Sequence, residues 1–582
     1  MPVTANENMS RKRSRKRKVG DDDTDNLHSQ QHPLAAASIR GLDYNVVRML
    51  QGNNDDFAVE VGGMMDSFSS PAAVVGQSST SSFSSGAPTF RANQEESTDV
   101  TNDPLVKMFQ SFRLNQEQRP LKIVRSSYQY LYDTTNSEYL DCVNSVSHVG
   151  HCHPAVVKAA AASMERDPSI TGMDIDHGEM KYPDKLRQTL PHYLDTFLFC
   201  NSGSEAVDLA LQLSTLHTGG TDAVVTDNAF HGSIGSVHHL SPKVFKANNM
   251  TKADWVHILA MPDLYRGQYQ HGDPEAVHKY LSDARQVIES ITQSGRKLAC
   301  FIAEPMLVVP GMVIPSAAWL QEIYKMVREA GGLCIADEVQ AGLGRVGSHF
   351  WSFQAQGVGP DILIIGKNIG NGYPMALVAT SREIAAVLGD RIKEYGCSRM
   401  MDAVGCAVLE VLQEEHLMTA AMSVGKYLRE QLTILQHKHD YIGDVRGLGL
   451  MVGLEVVWSK ESKRPAREVA EHIIYKMKEE NVILACEGYN RNILMMMPPM
   501  CFTRDNVVHL VQQLDKVLSE LPRHCYPVEG SAPVFCPPVV HQSTVSEGRL
   551  GILQPQEEED EEDQLASREN LEGPKHNYQD LD

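Results

Sequence analysis

Asp361-Ile362-Leu363-Ile364-Ile365-Gly366-Lys367-Asn368-Ile369-Gly370-Asn371-Gly372-Tyr373-Pro374 joins four consecutive apolar residues to a glycine-rich turn, with a lysine at the junction. A short apolar run closed by turn residues fits a buried strand. A lysine carried out of such a strand has little bulk water around it, so its amine pKa falls and more of it is a free nucleophile for a carbonyl. The alternative is a lysine that snorkels to the surface at a strand end. A nucleotide P-loop is excluded, because Asp361 stands where its first glycine belongs and Asn368 where its Ser or Thr belongs.

Upstream of this stretch, further apolar runs alternate with helical patterns. Phe197-Leu198-Phe199-Cys200, Ala223-Val224-Val225-Thr226, Ala299-Cys300-Phe301-Ile302-Ala303 and Leu333-Cys334-Ile335-Ala336 read as strands, and Trp319 to Val327 reads as a helix between two of them. Alternating strand and helix predicts a mainly parallel sheet with helices on both faces. Each strand ends in polar residues: Asp227 to His231, Glu304, Asp337-Glu338 and Gly366-Lys367. In open α/β sheets that edge binds ligands. Between Cys200 and the helical pattern of Ala206, Leu209, Ala210 and Leu213 lies Asn201-Ser202-Gly203-Ser204-Glu205, a turn whose free N–H groups and helix dipole suit an anion such as phosphate. A plain capping turn with Ser204 as N-cap is the other reading.

Around this centre, Leu121 to Arg125 and Tyr128 to Asp133 alternate like hairpin strands, and Pro154 is placed to open an alanine-rich helix. After residue 400 longer amphipathic helices lead to Gly443-Asp444-Val445-Arg446-Gly447-Leu448-Gly449, read as a turn entering a strand. Its glycine spacing is wrong for a dinucleotide fingerprint. A last helix around Val507 to Leu518 precedes Pro522. The expected organisation is a disordered extension over 1–105, the first part of a small domain over 112–160, and a large cofactor-binding domain over 161–400. The second part of the small domain follows over 401–522, and a disordered acidic tail over 526–582.

Composition bounds the class. A 582-residue chain with 42% hydrophobic and 7% aromatic residues suits a large α/β enzyme. A net charge of -21 argues against coating nucleic acid, although an unbroken acidic run at 557–563 supplies part of it. No apolar stretch reaches transmembrane length, and neither a membrane nor a nucleic-acid partner is expected. The start has no signal-peptide core and makes a poor mitochondrial presequence, while the basic run at 11–18 resembles a nuclear-import or anion-binding segment. Eleven cysteines without Cys-x-x-Cys pairs read as reduced, Cys300 and Cys334 as core. His151-Cys152-His153 is too compact to converge on one ion, so no metal is expected.

A lysine for a Schiff base, an acid 30 residues earlier at a neighbouring strand end, and an anion-ready helix start together point to pyridoxal 5'-phosphate. Lys367 would take the aldehyde, Asp337 would keep the ring nitrogen protonated, the phosphate would rest at Gly203-Ser204, and Phe230 would cover the ring. Taken singly, Asp337 also reads as a helix cap and Phe230 as core.

The order Asn201-Ser202-Gly203-Ser204-Glu205-Ala206, Phe230-His231-Gly232, Ala336-Asp337-Glu338-Val339-Gln340, Gly344-Arg345 and Gly366-Lys367 resembles the class-III aminotransferases of pyridoxal-phosphate fold type I. Val149-Gly150-His151-Cys152-His153-Pro154, Gly443-Asp444-Val445-Arg446-Gly447 and Pro498-Pro499-Met500-Cys501-Phe502 are similar to its phospho-lyase branch, often labelled alanine–glyoxylate aminotransferase 2-like. The branch includes ethanolamine-phosphate and phosphohydroxylysine phospho-lyases. The resemblance implies an α/β fold in which a large domain, a mainly parallel sheet between helices, carries a smaller α/β domain built from the start and end of the catalytic region. It implies Lys367 and Asp337 as catalytic residues, with Ser202, Gly203, Ser204, Phe230, His231, Glu304 and Gln340 beside them in the cofactor site. It also implies a small amine or amino-acid substrate, phospho-lyase or transaminase chemistry, a homodimer or homotetramer, and a mitochondrial or cytoplasmic setting. Departures accompany it. Glu394 replaces a hydroxyl that reaches the partner's cofactor phosphate, Met495 replaces a cation, Val207 replaces Asn, and Gly172-Met173-Asp174-Ile175-Asp176 replaces a helix-turn motif. A catalytically impaired paralogue, keeping the fold as a binding or regulatory protein, is the alternative they raise.

Overall fold

The computed structural model describes residues 107–110, 120–166, 180–525 and 534–536, the last three residues and 523–525 by backbone alone. The expected extension at 1–105, nearly all of the expected tail at 526–582 and the departure at 172–176 lie outside the described residues. Strands β1 (Ile123–Ser127), β2 (Tyr130–Asp133) and β3 (Glu138–Asp141) form the antiparallel meander that their alternation predicts. Helix α1 (Pro154–Arg166) opens on its proline.

The large sheet follows. Strand β4 (Thr196–Cys200) turns into α2 (Gly203–Thr218), and β5 (Asp222–Thr226), α3 (Pro242–Ala247), β6 (Val256–Leu259) and α4 (Ala276–Gln293) come next. Then come β7 (Leu298–Ala303), α5 (Ala317–Glu329), β8 (Leu333–Asp337), β9 (Ile362–Ile365) and β10 (Ala376–Thr380). The strand order is β4-β10-β9-β8-β7-β5-β6. The five strands from β9 to β6 run parallel, and β10 is antiparallel to both of its neighbours.

Strand periodicity sorts the core. Ile362 and Ile364 of β9 pack with Leu209 and Leu213 of α2, while Leu363 and Ile365 face the opposite cluster. Phe301 of β7 meets Ile288 of α4 and Trp319 of α5 on that side of the sheet as a further cluster. Successive side chains of a strand point to opposite faces, so an uninterrupted apolar run means a strand covered on both.

The chain then returns through α6 (Arg399–Glu414), α7 (Leu417–Lys438), β11 (Ile442–Leu448), β12 (Met451–Val456), α8 (Arg467–Glu479), β13 (Val482–Ile483), β14 (Ala485–Glu487), β15 (Ile493–Met496) and α9 (Arg504–Glu520). Strand β13 pairs in parallel with β3, so the start and the end of the catalytic region share one sheet. The stretch expected as a turn entering a strand at 443 is instead already strand, paired with β12. The turn falls at Gly449, whose φ is +52°, and a Cβ on Gly425 of α7 would lie 1.9 Å from the Gly449 carbonyl oxygen. Only glycines allow that approach.

Arg345 holds these pieces together. It is fully buried, and its guanidinium donates to the carbonyls of Pro498 (2.6 Å), Leu450 (3.4 Å) and Ser145 (3.4 Å) and to His148 Nδ1 (3.2 Å). His148 passes the chain on, donating from Nε2 to the Leu343 carbonyl at 2.9 Å. Burial, then the nearby guanidinium, holds the imidazole pKa well below its usual value, so it stays neutral and accepts. The bonds of Arg345 fall to its two terminal nitrogens, while Nε has no partner within the protein, and a buried cation is costly unless its donors are met. We expect Arg345→Met to strand three carbonyls and to lower stability by at least about 3 kcal/mol, read as a drop in the urea midpoint.

Glu338 is buried as well, and accepts from the Phe353 N–H at 2.7 Å, which pins the loop after β8. Burial raises its pKa from 4.5 to about 7, against the Ser352 and Phe353 donors. The folded protein therefore keeps a proton between pH 4.5 and about 7 that the unfolded chain has lost. That contribution is complete below pH 4.5 and declines as pH rises toward 7. In Glu338→Gln the decline should vanish, so the stability difference between variant and wild type should shift by roughly 2–3 kcal/mol in favour of the variant from pH 4.5 to 7.5. A constant difference across that range, measured by thermal melts, would refute the assignment.

Candidate active site

Neighbouring parallel strands bring the candidate residues to one edge. Lys367 follows β9, Asp337 ends β8, Glu304 follows β7, and Phe230 and His231 lie just beyond β5. Lys367 opens a short 3-10 turn, Lys367–Gly370, and has φ +39°. A non-glycine residue in that region carries strain that its surroundings must hold in place. Here Asn368 and Asn371 do the holding. Asn368 Nδ2 donates to the Gln340 carbonyl (3.0 Å), and Asn371 accepts from the Val149 N–H (2.9 Å) while donating to the Gly150 carbonyl (3.0 Å).

Burial lowers the Lys367 ammonium pKa, and the carboxylates of Glu304 and Asp337 pull in the opposite direction. Lys367 is half-buried, whereas the snorkelling alternative calls for an exposed side chain. Asp337 is buried, accepts from the Val339 N–H at 3.1 Å through Oδ1, and pairs through Oδ2 with His231 Nδ1 at 2.7 Å. The His231 N–H donates to Ser241 Oγ (2.9 Å), which donates in turn to the Gly232 carbonyl (2.7 Å). His231 Nε2 has no hydrogen-bond partner within the protein. Glu304 is 3% exposed, and its Oε2 likewise has no partner. Burial, then the Asp337 charge, pushes its pKa well above the carboxylate range, with Lys367 opposing.

The phosphate-type turn meets this edge through Val339. A Cβ on Gly203 would lie 3.1 Å from Val339 Cγ2, and one on Gly366 would lie 3.4 Å from the same methyl. A Cβ on Gly232, at φ +133°, would lie 2.4 Å from Ser204 Oγ. Ser202, Gly203, Ser204, His231, Asp337 and Lys367 are thus drawn together, with Gln340 tied in through its carbonyl. The cap differs from the Ser204 reading. Ser202 Oγ accepts from the Glu205 N–H at 3.2 Å, because its extended backbone (φ -144°) sits one step outside the helix. Phe230 is half-buried at the same edge.

These residues fit pyridoxal phosphate: a weakened ammonium for the aldehyde, a histidine-held carboxylate for the ring nitrogen, and helix-start amides at Gly203 and Ser204 for the phosphate. Met495 is 1% exposed and packs among Met306, Met312, Met451 and Met497. Val207 joins the core under α2, and Glu394 is exposed on this chain. His151 and His153 go separate ways, to Asp141 (2.7 Å) and Glu415 (2.9 Å). Two participants went unseen in the sequence, Asn371 and the ion pair of Lys243 with Glu487. Neither sits in a motif, and the pair is 244 residues apart along the chain.

The profile of the family "Aminotransferase class-III" matches residues 112–518. A Drosophila melanogaster protein named "Alanine--glyoxylate aminotransferase 2-like" is 39% identical over 66% of this chain and 80% of its own length. A Caenorhabditis elegans protein named "Ethanolamine-phosphate phospho-lyase homolog 1" is 35% identical over 69% of this chain and 90% of its own. Among solved structures, a phospholyase from Arthrobacter in complex with phosphoethanolamine superposes with a TM-score of 0.65 at 31% identity, covering 70% of this chain and 96% of that one. A Pseudomonas amine transaminase in its pyridoxal-phosphate-bound form gives 0.62 at 26%, covering 69% and 95%. The chain belongs to the class-III aminotransferases, the fold type I enzymes that work with pyridoxal 5'-phosphate.

Proposed function

We propose that this enzyme acts on a small phosphorylated amine or amino acid and releases its phosphate, with aminotransfer as the competing outcome at the same site. The observation that carries the proposal is Lys367, half-buried at the end of β9 beside the strand ends of Asp337 and Glu304, with its ammonium pKa lowered by desolvation. The likeness to a phospholyase that binds phosphoethanolamine supports the substrate class. When bound, the cofactor supplies an electron sink.

The chain's own residues do the rest. With the cofactor in place, Lys367 Nζ would be the group that accepts the proton from the carbon bearing the substrate amine, and desolvation lowers its pKa from the ordinary lysine value. Asp337 would face the ring nitrogen, and His231 Nδ1, 2.7 Å from Asp337 Oδ2, holds that side chain in place. Aromatic cover from Phe230 and a water-poor edge complete the setting. A homodimer with Glu394 turned toward the partner's cofactor phosphate is part of the proposal. So is a mitochondrial or cytosolic setting, in line with the human and Arabidopsis thaliana relatives, whose names include "mitochondrial". Among the described residues no helix is long and apolar enough to cross a membrane.

One observation favours the impaired paralogue: Met495 lies in an apolar cluster where the family resemblance expects a cation. A direct test separates the readings. Borohydride reduction of the loaded protein followed by peptide mapping should find the cofactor on Lys367, and Lys367→Ala should lower turnover by about 10³-fold or more. Incubation with phosphoethanolamine should release free phosphate; conversion of a keto acid instead would mean transfer, and neither would mean the impaired paralogue.

Two anions about 4 Å apart at an effective dielectric near 20 repel by roughly 4 kcal/mol. We therefore expect Glu394→Thr to tighten cofactor binding at least tenfold in equilibrium dialysis. Equal affinities would show that Glu394 does not face the phosphate.

A further inference from the structure

Lys243 and Glu487 form an ion pair between the large domain and the β14–β15 hairpin of the small one. Three contacts put the pair at the mouth of the active site. The Lys243 N–H donates to the Ala229 carbonyl at 3.2 Å, one residue before Phe230. Ser241, two residues before Lys243, is the hydroxyl that holds His231 and Gly232. On the other side, a Cβ on Gly488 would lie 3.3 Å from the Pro310 carbonyl oxygen and one on Gly311 2.1 Å from Ile493 Cδ1, so the hairpin rests on the segment that follows Glu304. The charges of both Glu487 and Lys243 are felt at Lys367.

The pair is only partly shielded, with side chains 32% and 26% exposed. An ion pair so open to water is weakly held. A phosphate, carrying up to two charges, is a stronger acceptor for an ammonium than one carboxylate. At the inner edge Asp337 and Glu304 offer an anion no positive charge, and Met495 is buried among other methionines. We propose that Lys243 is the specificity-determining receptor for the anionic group of the substrate, and that Glu487 occupies it until the anion displaces the carboxylate. This rests on the substrate class proposed above and adds the residue that selects it.

The test is binding by the cofactor-loaded enzyme, read from the cofactor absorbance with phosphoethanolamine and with ethanolamine as ligands. Lys243→Met should weaken phosphoethanolamine by about 10- to 100-fold and leave ethanolamine within about twofold. Glu487→Gln should do the reverse, tightening phosphoethanolamine several-fold. The exchange Lys243→Glu with Glu487→Lys should recover the melting temperature of a bridged pair without recovering full phosphoethanolamine affinity. Equal losses for both ligands, no loss for either, or full recovery in the exchange would reduce the pair to a structural bridge and overturn the inference. Wild-type enzyme that prefers ethanolamine would instead sink the substrate class, and this inference with it.

Discussion

A buried guanidinium sets the terms for this molecule. Arg345 reaches carbonyls at residues 145, 450 and 498, segments that belong to the start, the return and the end of the catalytic region. Its two terminal nitrogens carry these bonds, so losing any one segment leaves a buried cation short of an acceptor and costs the fold more than that contact alone supplies. Several stretches that look like chemistry in the sequence serve this junction. Gly150 packs within reach of Cys501, the Met500 N–H donates to the His148 carbonyl, and the Met497 N–H donates to the Cys142 carbonyl. The motifs around 149–154 and 498–502 therefore frame the site.

A second buried network works on the same principle. Glu455 accepts from Arg446 and Arg266, and the attraction of the two cations overcomes the cost of burial, leaving its pKa lowered. Glu304 is the contrast, a buried carboxyl whose free oxygen meets no protein donor and whose proton affinity is raised. The same residue type thus ends in opposite states, decided by whether a guanidinium is within reach.

Much of the architecture was legible because burial on both faces of a sheet leaves an uninterrupted apolar run, as at Ile362–Ile365 and Leu298–Ala303. The hairpin at 442–456 was harder to read. Its strand start is interrupted by Gly443, Asp444 and Gly447, and pairing with β12 outweighs their weak strand preference. The cap at Ser202 was missed for a related reason: both serines suit the role, and only backbone geometry chooses between them.

Taken alone, the amino-acid order determined the alternation of strands and helices and the polar residues that end each strand, among them a lysine, an acid and a turn that suit a pyridoxal-phosphate site. These are local properties, set by periodicity and by what a few neighbours exclude. Tertiary structure alone decided which charges meet. The pairing of His231 with Asp337, the four acceptors of Arg345 and the closure of Lys243 on Glu487 join residues 105 to 244 positions apart, and burial leaves Glu304 Oε2 without a partner. Such contacts leave no periodic trace, because their energy depends on distance and local dielectric in three dimensions and not on spacing along the chain.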